Sequence, residues 1–393
     1  MSHLRITDVE TILLSYRYQG NEAWKWSGGK TLQRNAVLVR ISTNADIQGI
    51  GEIGESAYLP RAVERIVEDQ FKPMLVREDP FDVERLWQKM YVRSIHCGRK
   101  GVIIPIISGL DIALWDIMGK CLGKPVYELL GGMYRDKVRV YASAGMARPI
   151  DEIVKEAQGF VAQGFTAVKI RIGTNLRDDV KVVKAVRKGV GDEIDLMVDA
   201  GQAYVDFPWD YNAALSIAKR LEDYDLYWLE EPCVPDDIEG YVRLTSSVDL
   251  PIAGGENEYT KFGFKDLIVN RAVDILQPDV TRAGGISECK KIAAIAAAFH
   301  MQCAPHIFGS GASLMANMHF IASTPNILIM EYDCTLNPLR DNLLAKPLKL
   351  KNGYVYVPKD VLGLGVNLSD EMIHKYTFKP GDAVHKGEFR PTV

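Results

Sequence analysis

From Lys137 onward the chain alternates short apolar runs with longer stretches of helical character. The runs VRVYASAG, AVKIRIG, DLMVDAG, LYWLEEP, PIAGGEN, VDILQPDV, QCAPHIFG and ILIMEYD number eight. Segments such as DEIVKEAQGFVAQG, PWDYNAALSIAKRLEDY and ISECKKIAAIAAAFH lie between them and read as helices. Strands alternating with helices argue for a parallel sheet, and eight is the number that closes into a barrel. An open doubly wound sheet is the competing arrangement, but no GxGxxG turn supports it.

The N-terminal third follows another rhythm. Residues 5–55 alternate like a strand pair, in RITDVETILLSY and AVLVRISTNADIQGIGE. Their connector, YQGNEAWKWSGGKTLQR, sets Trp24 and Trp26 beside two adjacent glycines. It predicts either a mobile loop that closes over a ligand or a long hairpin connection with a tryptophan packed inward. From Ala62 to Leu130 the pattern turns helical, with Leu110, Leu114, Ile117 and Met118 at helical spacing before Gly123 and Pro125. After Asp333 the chain passes Pro338, Pro347 and Pro358 without a ninth unit, which predicts a tail returning to the N-terminal region. The expected division is an α+β unit over 1–130, the βα array over 131–335 and the returning segment over 336–393.

Length agrees with this division. A barrel of about 250 residues leaves more than a hundred of the 393 for a second unit. A net charge of −4 gives no footprint for nucleic acid and no polybasic stretch for a membrane surface. No apolar run reaches the roughly 18 residues of a membrane span, and MSHLRITDVETILLSY is too broken by charge for a signal peptide. Six dispersed cysteines without a CxxC pair read as small buried hydrophobes in a reducing compartment. The expectation is a cytoplasmic protein acting on a small molecule, with a symmetric homo-oligomer as the default assembly.

Chemistry collects at the ends of the apolar runs. Asp199, Glu230, Glu256, Asp279, His306 and Glu331 end successive runs, at intervals of 31, 26, 23, 27 and 25 residues. Each interval holds one βα unit, and a barrel gathers its strand ends around one mouth. Three carboxylates there, Asp199, Glu230 and Glu256, would repel one another unless a cation neutralised them. Oxygen-only ligation suits a hard cation, Mg²⁺ before Mn²⁺. The bland alternative is that each carboxylate caps the helix that follows. Glu231 and Asn257 stand beside these positions as supporting or substrate contacts. Lys169 and Arg171 lie two apart on one strand and face the same side, where they could bind an anion. Asp279 and His306, on neighbouring strands, could form a general-base pair.

Taken together, SGLDIALWDIMGK, VKIRIG, VDAG, EEP, GGEN, the QPD of QPDVTRAGGISE, APHIFG and IMEYD make the chain resemble the enolase superfamily, specifically its mandelate racemase subgroup. The resemblance spans essentially the whole chain. It implies an α/β fold, a modified TIM barrel of (β/α)7β form, under an α+β capping domain built from the N-terminal region and the C-terminal tail. It also implies Mg²⁺-assisted abstraction of the proton α to a carboxylate, with an enediolate to stabilise. Position by position, Asp199, Glu230 and Glu256 match the metal ligands, and His306 with Asp279 the His–Asp dyad. Glu331 matches the acid that hydrogen-bonds the enolate oxygen, and Lys169 the first lysine of a Lys-x-Lys strand.

Arg171 stands where the second lysine, the base on the opposite substrate face, would be. Arginine is a poor proton shuttle near neutrality. A racemase needs a base on each face, whereas a dehydratase can work with one. A sugar acid supplies both a carboxylate and a leaving hydroxyl, so an acid-sugar dehydratase is the first expectation. A sugar-acid lactone cycloisomerase is the second, and a racemase or epimerase of a 2-hydroxy acid the third. A non-catalytic relative would have lost a ligand or the dyad, and all five residues are present. Substrate selection is expected near Trp24, Trp26, Glu55 and Arg282.

Overall fold

In the computed structural model, which describes residues 4–54, 58–173, 176–381 and 383–385, the N-terminal region holds five strands. They are β1 (Ile6–Arg17), β2 (Trp24–Trp26), β3 (Gly29–Thr31), β4 (Gln33–Thr43) and β5 (Gln48–Ile53). An antiparallel sheet runs in the order β1-β4-β5. The expected strand pair is therefore three strands. Residues 44–47 fold the second segment back on itself, with Asp46 in the left-handed region at φ 57°. Asn44 and Asp46 are turn-forming types, but a polar stretch between apolar runs had read as one continuous strand. The tryptophan connector is a hairpin: Trp24 pairs with Thr31 and Trp26 with Gly29, and Val384 and His385 add a third strand outside β3.

Both faces of the sheet are covered. Val37, Val39 and Ile41 pack on α1 (Val83–Ser94) and α2 (Ile103–Leu122), while Ala36 and Leu38 pack with Ala312, Leu339, Leu343, Met372 and Tyr376. Close approach of α2 to β5 depends on glycine, because a Cβ on Gly51 would lie 1.9 Å from the Gly109 carbonyl oxygen.

The eight runs form eight parallel strands: β6 (Lys137–Ser143), β7 (Ala167–Arg171), β8 (Asp195–Asp199), β9 (Leu226–Glu230), β10 (Ile252–Gly254), β11 (Ile275–Leu276), β12 (Gln302–Cys303) and β13 (Met330–Asp333). Each pairs with the next up to β12, and β13 pairs with β6. A parallel bridge from Cys303 to Ile327 closes the ring. Among the described residues seven α-helices fill the crossovers: α3 (Ile150–Ala162), α4 (Leu176–Val190), α5 (Tyr211–Leu221), α6 (Ile238–Thr245), α7 (Thr260–Val269), α8 (Gly285–Ala298) and α9 (Gly311–Ala322). This is a (β/α)7β barrel. The tail divides its contacts, with Tyr354–Tyr356 pairing antiparallel to β6 and Met372 and Tyr376 packing on β1.

Buried carboxylates dock the cap on the barrel. Glu52 accepts from Ser310 N, Ser310 Oγ and Ser313 N at the start of α9, where the helix dipole favours an anion. Asp111 of α2 accepts from Ser287 N and Oγ at the start of α8, and Asp116 accepts from Ile50 N and Leu364 N. Among the described residues no helix is long and apolar enough to cross a membrane. None of the six cysteines is paired; Cys233, Cys289 and Cys303 are buried as expected, but Cys97 is exposed.

Two glycine substitutions test the docking of α2. Gly51→Ala drives a methyl group into backbone and should lose about 1–3 kcal/mol or more. Gly159→Ala, in α3 with open space around it, should gain about 0.5–1 kcal/mol. Denaturant midpoints of both variants check the contrast; a neutral Gly51→Ala would contradict the close approach.

Candidate active site

Side chains on a strand alternate with period two, and the barrel uses this to build its site. Tyr141, Ala167, Met197, Trp228, Ala253, Ile275, Ala304 and Ile329, one from each strand or its flank, form an apolar plug in the barrel. One inward step further along, toward the strand C-termini, the positions are Ser143, Lys169, Asp199, Glu230, Gly255, Gln277, His306 and Glu331. Every non-glycine among them is buried. At Gly255, φ 117° turns the chain and the next residue, Glu256, supplies the carboxylate. The layer above the plug is thus polar and mostly charged.

Charge compensation organises this layer. Lys169, fully buried, places Nζ 2.5 Å from Glu230 Oε1, 3.1 Å from Glu331 Oε1 and 3.7 Å from Asp199 Oδ2. Arg171 pairs with Asp199 on the neighbouring strand, where the two are in register. Trp228 of the plug donates Nε1–H to Glu230 Oε2 at 2.9 Å. Burial pushes Glu230 up to about 7; Lys169 pulls against the rise, while Asp199, Glu331 and Glu256 add to it. Glu331 is held below the usual carboxylate range despite burial, chiefly by Lys169 and His306. It accepts from Ile307 N at 2.8 Å, so in this geometry Glu331 is an acceptor, and donating a hydrogen bond would require its protonation.

The dyad is assembled across β11 and β12. His306 Nδ1 lies 2.8 Å from Asp279 Oδ2, and Thr281 N and Oγ1 each donate to Asp279 Oδ1 at 2.7 Å. Nδ1 is thereby occupied, which leaves Nε2 toward the cavity, 3.6 Å from Glu256 Oε2. Burial works against a charged His306, but Glu256, Glu331 and Asp279 outweigh it and raise the imidazole to about 10. Reciprocally, His306, Arg282 and Lys169 overcome burial and hold Glu256 at about 2.

Above this layer a cavity of about 130 Å³ lies between barrel and cap. Arg171, Glu256, Asp279, Arg282 and His306 line its barrel side, and Trp24, Trp26 and Glu52 its cap side. Glu231 and Asn257 do not line it: Asn257 bridges Glu231, Tyr204 and Arg282 from behind. Glu55 lies outside the described residues. Tyr204, Arg34 and Phe308 also line the cavity and were missed from sequence. Tyr204 donates to Glu256 at 2.6 Å and meets the Trp26 ring edge-on at 5.0 Å. Arg34 pairs with Asp333 at 3.0 Å and covers the Phe308 ring at 4.3 Å. A signal existed, since Gln33-Arg34-Asn35 is a polar triplet opening an otherwise apolar strand.

The helix-capping alternative fails for the three strand-end carboxylates. Asp210 caps α5, Asp237 caps α6, and α7 has no side-chain cap. Asp199, Glu230 and Glu256 are a buried, oxygen-only donor set, and by chemistry they fit a hard divalent cation. Their oxygens turn here onto Lys169, Arg171, Arg282 and Tyr204. Among the described residues no three His, Cys, Asp or Glu side chains converge as a ready-made metal cluster.

Comparison with known proteins agrees with this geometry. Residues 152–372 match the family described as Enolase C-terminal domain-like, and residues 13–131 match Mandelate racemase / muconate lactonizing enzyme, N-terminal domain. An arabinonate dehydratase of Saccharolobus solfataricus is 36% identical over 381 residues, covering 95% of this chain and 100% of that protein. A D-galactarolactone cycloisomerase of Agrobacterium fabrum is 33% identical over 386 residues, 95% of this chain and 99% of its own length. A racemase of Streptomyces coelicolor A3(2), solved with bound magnesium, superposes with a TM-score of 0.85 at 30% identity, over 94% of this chain and 99% of that one. Both domains and nearly the full length being matched, this chain belongs to the mandelate racemase / muconate lactonizing enzyme family of the enolase superfamily.

Proposed function

We propose that the protein removes the proton α to the carboxylate of a sugar acid and then expels the neighbouring hydroxyl as water, giving a 2-keto-3-deoxy acid. The observation that carries this reading is the asymmetry of the two candidate proton-transfer groups. One is an imidazole held by Asp279 with Nε2 toward the cavity; the other is an arginine already paired with Asp199.

Each residue then has a task. His306, in its neutral form, takes the α-proton at Nε2, and the C–H electrons pass into an enediolate; a cation held by Asp199, Glu230 and Glu256 would offset the carboxylate charge that otherwise raises the imidazole to about 10. The same imidazolium gives its proton to the departing β-hydroxide, which leaves as water, and the enol becomes the ketone. Lys169 and Arg171 stay charged and stabilise the negative charge that develops on the carboxylate oxygens. Asp279 fixes the tautomer of His306, and Glu331 holds Lys169 in place. A divalent cation on Asp199, Glu230 and Glu256, Mg²⁺ before Mn²⁺, would supply Lewis-acid charge for the substrate carboxylate. Similarity to the galactarolactone cycloisomerase favours a second reading, in which the same base opens a sugar-acid lactone.

A library of sugar acids and lactones, incubated with Mg²⁺, separates the two: a dehydratase yields a 2-keto-3-deoxy acid from an open-chain acid. EDTA should abolish turnover and Mg²⁺ restore it. Glu230→Gln should stay folded while Mg²⁺ no longer raises its melting temperature. Turnover undiminished after chelation would defeat the metal assignment.

His306→Asn should lose at least about 10²-fold in kcat, the lower end of general-base catalysis, and Asp279→Asn a smaller factor. Near wild-type turnover by His306→Asn would end the dyad assignment. In D₂O the wild type should give dehydrated product without accumulating the epimeric acid, while Arg171→Lys should gain deuterium exchange into recovered substrate. Rapid epimerisation by the wild type would show a second working base.

A further inference from the structure

The cavity has two unlike walls, and the difference bears on which sugar acid it takes. Its barrel side carries Arg171, Arg282 and His306, all three cationic or able to become so. On the cap side the described lining residues include one cation, Arg34, and its charge is already committed to Asp333 at 3.0 Å, with both groups buried. The cap also contributes a fixed anion, since Glu52 is 4% exposed and held by three donors from Ser310 and Ser313.

Neutral donors also stand in the cap wall. Trp24, Trp26 and Thr31 line the cavity, and their two indole Nε1–H groups and hydroxyl are buried without a hydrogen-bond partner among the described residues. Three orphaned polar groups in one wall cost stability unless a ligand satisfies them. Among the described residues β2 and β3 meet through backbone pairing, and Trp24 packs edge-on against Phe308 at 6.0 Å. Neutral donors spaced along a hairpin match a chain of hydroxyls. A second carboxylate at this end would meet the Glu52 charge with no uncommitted cation among the described lining residues.

We propose that the enzyme is selective for monocarboxylic over dicarboxylic sugar acids, the single carboxylate lying on the barrel floor and the distal hydroxyls accepting hydrogen bonds from Trp24, Trp26 and Thr31. The inference rests on the α-proton reading only for which end of the substrate lies on the barrel floor.

Equilibrium binding to the full-length His306→Asn variant with Mg²⁺, measured by calorimetry, tests selectivity without needing turnover. D-galactonate and D-gluconate should bind at least about tenfold more tightly than galactarate and glucarate, the equivalent of about 1.4 kcal/mol. Equal or tighter binding of the diacids overturns the proposal. Conservative variants in the same background then locate the contacts. Trp24→Phe, Trp26→Phe and Thr31→Val each keep shape and should weaken the preferred monoacid about two- to twelvefold, the range of one net hydrogen bond. Against the analogue lacking its terminal hydroxyl, at least one of the three should lose nothing. Equal losses for both ligands in all three variants would mean a structural role and also overturn the proposal. Failure of the wild type to dehydrate a monoacid that binds selectively would sink the dehydratase reading alone.

Discussion

Four carboxylates, Asp199, Glu230, Glu256 and Glu331, share one buried layer, and the fold tolerates them only because cations are buried with them. A buried charge without a partner costs several kcal/mol, far more than an ion pair at the surface returns. Lys169 answers most of that demand, touching three of the four within 3.7 Å. Its own ammonium is held well above its usual range, because those carboxylates outweigh the burial that opposes its charge. Barrel closure, strand register and the apolar plug all serve to put this lysine where the anions are. Trp228 links the two layers directly, since its ring fills the plug and its N–H reaches Glu230.

Period-two alternation made much of this legible in the sequence. Once eight apolar runs are read as barrel strands, a charged residue near the end of a run must project at the mouth, and His306 and Asp279 meet as neighbours for that reason. What was missed is in part local and in larger part non-local. The turn at residues 44–47 lay hidden in a polar stretch between two strand-like segments. The tryptophan connector gained its form from Val384 and His385, more than 350 residues away, a pairing no local pattern announces. Tyr204 ends a three-residue 3-10 turn, Gln202–Tyr204, too short for periodicity to give its direction. Glu231 and Asn257 sit beside residues of the mouth but support the wall from behind, because adjacent residues point different ways.

The two walls of the cavity come from different parts of the chain. Groups that can move a proton or hold developing charge come from the barrel strands, whose backbone is fixed by neighbours on both sides. On the cap side the lining residues Trp24, Trp26, Thr31 and Arg34 come from β2, β3 and β4. Tyr204 joins the two, with one contact to Glu256 and another to the Trp26 ring. An error in hairpin placement therefore reaches the carboxylate layer through this phenol, and the dyad through Phe308, which touches both Trp24 and His306.

Glu52, Asp111 and Asp116 also constrain how the cavity can open. Swinging the whole cap away from the barrel would strip Glu52 and Asp111 of their donors at the start of α9 and α8 while much of their surroundings stayed apolar. That is an uphill path, with two anions losing their partners at once. Peeling the short β2–β3 hairpin breaks uncharged contacts instead: backbone bonds on its three-residue strands, the Ala147 N–H to Lys25 carbonyl bond, and the ring contacts of Trp24 and Trp26. Traffic into and out of the barrel mouth should therefore be governed by a local flap, and its rate should respond to the C-terminal strand clipped along the hairpin's edge rather than to any hinge between the two domains.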